Sequence, residues 1–135
     1  MSLNELRHMK FLLIDDEQFL RLTLRQILVQ IGFPQANVYE ADGTATGITE
    51  CMRIRPALIF CDIHMQPADG FAFLHGLRNS PLAAIAETPV VMLTSDSTEE
   101  AVLTAKGHKV SGYLVKPVSI NAVKKSIERA LKVTL

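Results

Sequence analysis

The chain has 135 residues, 48% hydrophobic and 21% charged, which is enough apolar material for one compact domain with a substantial core. Lys and Arg total 14 and Asp and Glu total 14, so no excess of positive charge is available for gripping nucleic acid. Apolar stretches such as Phe11 to Ile14 fall far short of the roughly 18 to 20 residues that cross a bilayer, no secretory signal opens the chain, and Cys51 and Cys61 are too few for a disulfide framework, so a soluble cytoplasmic protein with reduced thiols is expected, without a membrane or nucleic acid as direct partner.

Apolar runs and helical patterns take turns along the sequence. Phe11-Leu12-Leu13-Ile14 is short and apolar and stops at Asp15-Asp16, as a strand buried on both faces does. Leu20, Leu24, Ile27, Leu28 and Ile31 then recur at helical spacing until Gly32 and Phe33-Pro34 supply the stop. A weaker strand, Asn37 to Glu40, precedes a second helix that Asp42 can cap and in which Ala45, Ile48 and Met52 share a face before Pro56 ends it; Gly47 in its middle costs about 1 kcal/mol relative to alanine. The third strand, Ala57 to Cys61, stops at Asp62, and a loop with Pro67 and Asp69-Gly70 leads to a helix from about Phe71 to Arg78. Pro89 to Leu93 forms a fourth strand ending at Thr94, and Ser97-Thr98-Glu99-Glu100 starts a short fourth helix that ends near Gly107. Tyr113-Leu114-Val115 is the fifth strand. After Lys116-Pro117, Ser119 caps a last helix with Ile120, Val123, Ile127, Ala130 and Leu131 inward and Lys124, Lys125, Glu128 and Arg129 wet.

Buried strands separated by helices imply a parallel sheet with right-handed crossovers and helices on both sides, a three-layer α/β domain. Such sheets bind ligands beyond the carboxyl ends of their strands. The residues placed there are Asp15, Asp16, Asp62, Thr94 and Lys116. Carboxylates gathered this closely repel one another, so either one stays protonated or a cation holds them together. Oxygen ligands without His or Cys favour a hard divalent ion such as Mg²⁺, which keeps waters for a substrate phosphate. A lysine and a hydroxyl facing a metal-bound carboxylate suit phosphoryl transfer, with Asp62 as the nucleophile that forms an acyl phosphate and Asp15 and Asp16 as metal ligands. Helix capping accounts for one of Asp15 and Asp16 but not for both, and Thr94 or Lys116 taken alone reads as an ordinary turn hydroxyl or surface lysine. His64, two residues past Asp62, reads as an exposed loop histidine, Cys61 as an inert core thiol, and Cys51 as a helix thiol with no base nearby in sequence.

Phe11-Leu12-Leu13-Ile14-Asp15-Asp16-Glu17, Asp62-Ile63-His64-Met65 running to Asp69-Gly70, Met92-Leu93-Thr94-Ser95, and Gly112-Tyr113-Leu114-Val115-Lys116-Pro117 together resemble the receiver domain of two-component response regulators, over nearly the whole chain. The resemblance implies a flavodoxin-like (βα)5 fold with strand order 2-1-3-4-5 over residues 10–135, preceded by an N-terminal extension at 1–9. It implies Mg²⁺-dependent phosphorylation of Asp62 by a sensor histidine kinase or a histidine phosphotransfer protein. Asp16 is then similar to the family's direct metal ligand, Asp15 to one acting partly through water, and the backbone carbonyl of His64 to a third contact beside Asp62. Lys116 would pair with the phosphoryl group, its bond to Pro117 would be cis, and Thr94 and Tyr113 would be the switch pair, the hydroxyl moving to the phosphoryl oxygen as the ring swings inward. Ser95 would leave room for the donor histidine. The output surface would be the fourth helix, fifth strand and fifth helix, where Lys106, Lys109, Lys124 and Lys125 make a locally basic face that suits an unidentified acidic downstream protein or is equally a plain solvated face.

Two departures from the family pattern stand out: Gln66 occupies the position four past Asp62 where proline is usual, with Pro67 one later, and Lys109-Val110 replaces a common Gly-Ala pair before the fifth strand. The chain stops at Leu135 directly after the fifth helix, so a stand-alone phosphoacceptor is expected, a binding switch and no enzyme beyond its own phosphorylation and dephosphorylation. A Mg²⁺-dependent phosphohydrolase, whose second acid would fall at His64, and an unphosphorylated scaffold are the alternatives.

Overall fold

In a computed structural model, which describes residues 3–95, 98 and 109–135, five parallel strands form one sheet in the order β2-β1-β3-β4-β5. The strands are β1 (Phe11–Ile14), β2 (Val38–Ala41), β3 (Leu58–Asp62), β4 (Val90–Thr94) and β5 (Gly112–Val115). Among the described residues the helices are α1 (Leu3–Arg7), α2 (Gln18–Ile31), α3 (Thr44–Ile54), α4 (Gly70–Arg78), the single turn α5 (Ala83–Ala86) and α6 (Ile120–Leu131). The α/β fold and the strand order are those expected from the sequence.

Successive strand residues point to opposite faces, so a run that is apolar at every position fills two cores. Leu12, Ile14, Ile59, Cys61, Val90 and Met92 pack under α3, α4 and α5 with Cys51, Phe73 and Leu77. Phe11, Leu13, Leu58, Phe60, Val91 and Leu93 pack on the other side with Leu24, Leu28, Val123 and Ile127 of α2 and α6. The central register sets Ile14 beside Cys61 and Asp62 beside Leu93. The strands therefore end nearly level, which brings Asp15, Asp62 and Thr94 to one edge.

Several helix ends follow local chemistry. Gly32 at φ 130° closes α2 with its N–H on the carbonyls of Leu28 and Val29. The Asp69 carboxylate caps α4 by accepting the Ala72 N–H, and the Ser119 hydroxyl caps α6 by accepting that of Ala122, each worth about 1 kcal/mol.

Four expectations are corrected. The face that α3 buries is Gly47, Cys51 and Ile54 with Ile48 half-buried, whereas Ala45 and Met52 are exposed. Gly47 itself explains the rotation: a Cβ there would sit 2.7 Å from Ile14 Cδ1 and 3.1 Å from Phe73, so the helix lies on β1 through a residue without a side chain. Asp42 does not cap α3; Gly43 holds that position, and its N–H donates to the Thr46 hydroxyl, which in turn donates to Asp42. Ile120 is exposed at the first turn of α6, while Lys124 and Glu128 are half-buried. Tyr113 and Val115 are 38% and 39% exposed because β5 is an edge strand, so it is not buried on both faces. Apart from Thr98, the helix expected between Ser97 and Gly107, with Lys106, lies outside the described residues. No helix among the described residues is long and apolar enough to cross a membrane.

Candidate functional site

Asp15 continues the β1 ladder by one residue, its N–H donating to the Ala41 carbonyl at 3.2 Å, so its side chain is carried into the molecule and is 3% exposed. Asp16, the next residue, turns outward and is exposed. Asp62 closes β3 at 2% exposure. The Lys116 N–H donates to the Thr94 carbonyl at 2.7 Å, extending the β4–β5 pairing and delivering the lysine to the same edge; Thr94 at the end of β4 is fully buried.

One carboxylate oxygen from each of Asp15, Asp16 and Asp62 lies within 4.8 Å of the others. The Lys116 ammonium donates to Asp62 Oδ1 at 2.9 Å and to Asp15 Oδ2 at 3.2 Å, spanning the two buried acids. The other oxygen of Asp15 accepts the Glu17 N–H at 2.9 Å, which fixes the rotamer of the carboxylate. Burial pushes the Asp62 carboxyl above its usual range and the charge of Asp15 adds to the rise, against the hydrogen bonds from Lys116 and from the His64 backbone. For Lys116, burial favours the neutral amine, but the hydrogen bond to Asp62 and the charges of both carboxylates outweigh it and raise its pKa.

Three carboxylates facing one ammonium leave negative charge that a divalent cation offsets, and an all-oxygen donor set with an exposed member suits a hard ion that retains water. The residues present therefore fit Mg²⁺, with Asp15, Asp16 and Asp62 as its acidic ligands.

Asp15, Asp16, Asp62, Thr94 and Lys116 thus come to one sheet edge in the arrangement expected from the sequence. His64 is exposed in the loop after β3. Tyr113 stands beside Met92 and Val115 beside Thr94 in the β4–β5 register, which puts Tyr113 two residues back from the edge. Ser95 is exposed next to Thr94. Both Lys116-Pro117 and Gln66-Pro67 are cis, the second unforeseen. Burial pushes the Cys51 thiol up to about 12 and the Cys61 thiol well above its ordinary value, which leaves neither as a nucleophile.

Sequence reasoning missed the groups that brace this edge. Arg21 on α2 donates from Nη1 to the backbone carbonyl of Asp15 at 2.6 Å and from Nε to Glu40 Oε1 of β2 at 2.8 Å. Arg25 holds the other oxygen of Glu40 at 2.9 Å and the Val38 carbonyl at 2.6 Å. Gly70 lets α4 start against the end of β3, its N–H bonded to the Ile63 carbonyl at 2.8 Å, and the Thr44 hydroxyl lies 3.1 and 3.0 Å from the carbonyls of Ala68 and Asp69 in the intervening loop. The one legible signal was positional: Arg21 falls six residues after Asp15 and among apolar helix residues, where an unpaired charge is costly.

A family model described as the response regulator receiver domain matches residues 11–128. Chemotaxis protein CheY-3 of Vibrio cholerae is 26% identical over 123 residues, which cover 91% of this chain and 92% of that protein. The KDP operon transcriptional regulatory protein KdpE of Escherichia coli is 30% identical over 121 residues, covering 90% of this chain and 50% of that longer protein. Among solved structures, the chemotaxis protein CheY4 of Vibrio cholerae superposes with a TM-score of 0.78 at 25% identity, over 90% of this chain and 98% of that one.

Proposed function

We propose that this chain, which belongs to the response regulator receiver domain family of two-component signalling, is a Mg²⁺-dependent phosphoacceptor switch in which Asp62 takes a phosphoryl group from a sensor histidine kinase or a histidine phosphotransfer protein. The observation that carries this reading is the Lys116 ammonium spanning Asp15 and Asp62, with Asp16 within reach of both. In the transfer, one Asp62 oxygen attacks phosphorus as the P–N bond of the donor phosphohistidine breaks; the nitrogen leaves with the electron pair and takes up a proton from solvent.

Asp16, Asp15, Asp62 and the His64 carbonyl would hold Mg²⁺, which would supply charge neutralisation at the phosphoryl oxygens. Lys116 exchanges its bond to Asp62 Oδ1 for one to a phosphoryl oxygen, and the buried Thr94 hydroxyl donates to another. Tyr113, now exposed, then turns inward beside β4. The phosphoryl group adds about 1.5 to 2 negative charges and biases an existing two-state equilibrium. Exposed Tyr113, Val115 and Ile120 beside Lys124 and Lys125 support β5 and α6 as the face that a downstream protein reads, together with the fourth helix expected from the sequence. Phosphorylation and dephosphorylation of its own aspartate are the only chemistry assigned to it, in the cytoplasm. Beryllofluoride, a phosphoryl mimic, tests the reading: with Mg²⁺ it should shift the amide resonances of Thr94, Tyr113 and Lys116, and no shift, or the same shift in Asp62→Asn, would overturn it.

A further inference from the structure

Asp15 is held at every polar atom that can be held. Its N–H is on Ala41, its Oδ1 takes the Glu17 N–H, its Oδ2 takes the Lys116 ammonium, and its carbonyl takes Arg21. Arg21 is itself fixed from two sides. Its Nε is on Glu40, whose second oxygen is occupied by Arg25, and the side chains of Arg21 and Arg25 are only 15% and 18% exposed. The guanidinium is therefore a rigid brace between β2, α2 and the turn that presents the two acids.

We infer that Arg21, locked by Glu40, is a positioning residue for the metal site: it sets the Asp15-Asp16 turn so that both carboxylates meet Asp62 at cation-binding separation. This rests on the proposed metal-dependent reading, and its sign separates it from two simpler roles. Removing a positive charge from beside an acidic cluster would by itself tighten cation binding. A contribution to global stability alone would leave the affinity of the folded protein unchanged. Loss of positioning weakens binding, because the turn must then be ordered as the cation binds.

The test is calorimetric titration of Mg²⁺ into the full chain and into Arg21→Met, Arg21→Lys and Glu40→Gln, each first shown to be folded by circular dichroism. Arg21→Met should bind Mg²⁺ about fivefold to tenfold more weakly. Arg21→Lys, which can reach Asp15 or Glu40 but cannot bridge both, should recover part of the loss, and Glu40→Gln, which keeps the Asp15 contact, should lose less than Arg21→Met. Unchanged or tighter binding in Arg21→Met would overturn the inference. If Arg21→Met does not fold, Arg21→Lys decides on the same criterion. A wild-type chain that fails to bind millimolar Mg²⁺ would instead overturn the metal reading on which the inference rests.

Discussion

Replacing Gly70 with alanine is a strict test of how the site is assembled, because the glycine lets α4 begin against the strand that ends in Asp62. A Cβ at this position would lie 2.9 Å from both Ile63 Cα and Met92 Cε, and closer still to the carbonyl oxygen of Asp62. Carbon atoms in contact prefer about 3.5 to 4.0 Å, so the helix must retreat by at least roughly 0.6 Å. Two of the three opposing atoms are backbone and cannot rotate away. The retreat strains the 2.8 Å bond from the Gly70 N–H to the Ile63 carbonyl, worth about 1 kcal/mol, and overpacking adds about 1 to 3 kcal/mol. Alanine's helix preference, at most about 1 kcal/mol, offsets only part of this. The expected net loss is about 2 to 3 kcal/mol, which moves a urea midpoint down by roughly 1 to 2 M for an m-value near 1.5 kcal/mol/M. Gly76→Ala is the control, since its Cβ would meet nothing nearer than Ile48 Cδ1 at 3.4 Å; it should stabilise by about 0.5 kcal/mol. Gly70→Ala as stable as the wild type in the same titrations would refute the packing argument.

Lys116→Met leaves Asp15 and Asp62 buried side by side without their ammonium, so the metal-free protein should lose about 2 to 3 kcal/mol in denaturant titrations at pH 7, with part regained in millimolar Mg²⁺. The lysine pKa is raised in the folded state, so its stabilisation is complete below the ordinary value of 10.5 and is lost as pH rises through the raised value; the gap between wild type and Lys116→Met should close there. Asp62 is shifted up as well, but for an acid this means that the charged form costs stability. Asp62→Asn should therefore be more stable than the metal-free wild type at neutral pH, an advantage that disappears in melts below the ordinary carboxyl value of 3.8. Cys51 and Cys61, 1% and 0% exposed with raised pKa values, should resist iodoacetamide at pH 8 in the native protein and react fully in denaturant, as counted by mass.

The strands were legible because both faces of the sheet are covered, which leaves each of β1, β3 and β4 as an uninterrupted apolar run ending at a polar residue. The site was legible for the same reason, since a parallel sheet sends its strand ends to one edge. Amphipathic spacing failed on α3, where Gly47 marks the buried side and Met52 does not: closeness to Ile14 and Phe73 is a tertiary fact that periodicity cannot encode. It failed again at Ile120, whose first-turn position lies beyond the sheet. The helices α1 and α5, of five and four residues, are too short to show a period, although Leu6 and Ile85 are buried. The Arg21–Glu40 brace joins residues 19 apart through a fold that had first to be built, so the charge of Arg21 among apolar helix residues signals a partner without identifying it.

Asp62 is proposed to accept a phosphoryl group with the help of a divalent cation. Intact-protein mass spectrometry after incubation with acetyl phosphate tests it most directly. A single phosphoryl-sized mass gain is expected that requires Mg²⁺, is abolished by EDTA and is absent in Asp62→Asn. A gain that survives EDTA or the Asp62→Asn substitution would contradict it, and so would the absence of any gain in a chain that binds Mg²⁺ and beryllofluoride normally.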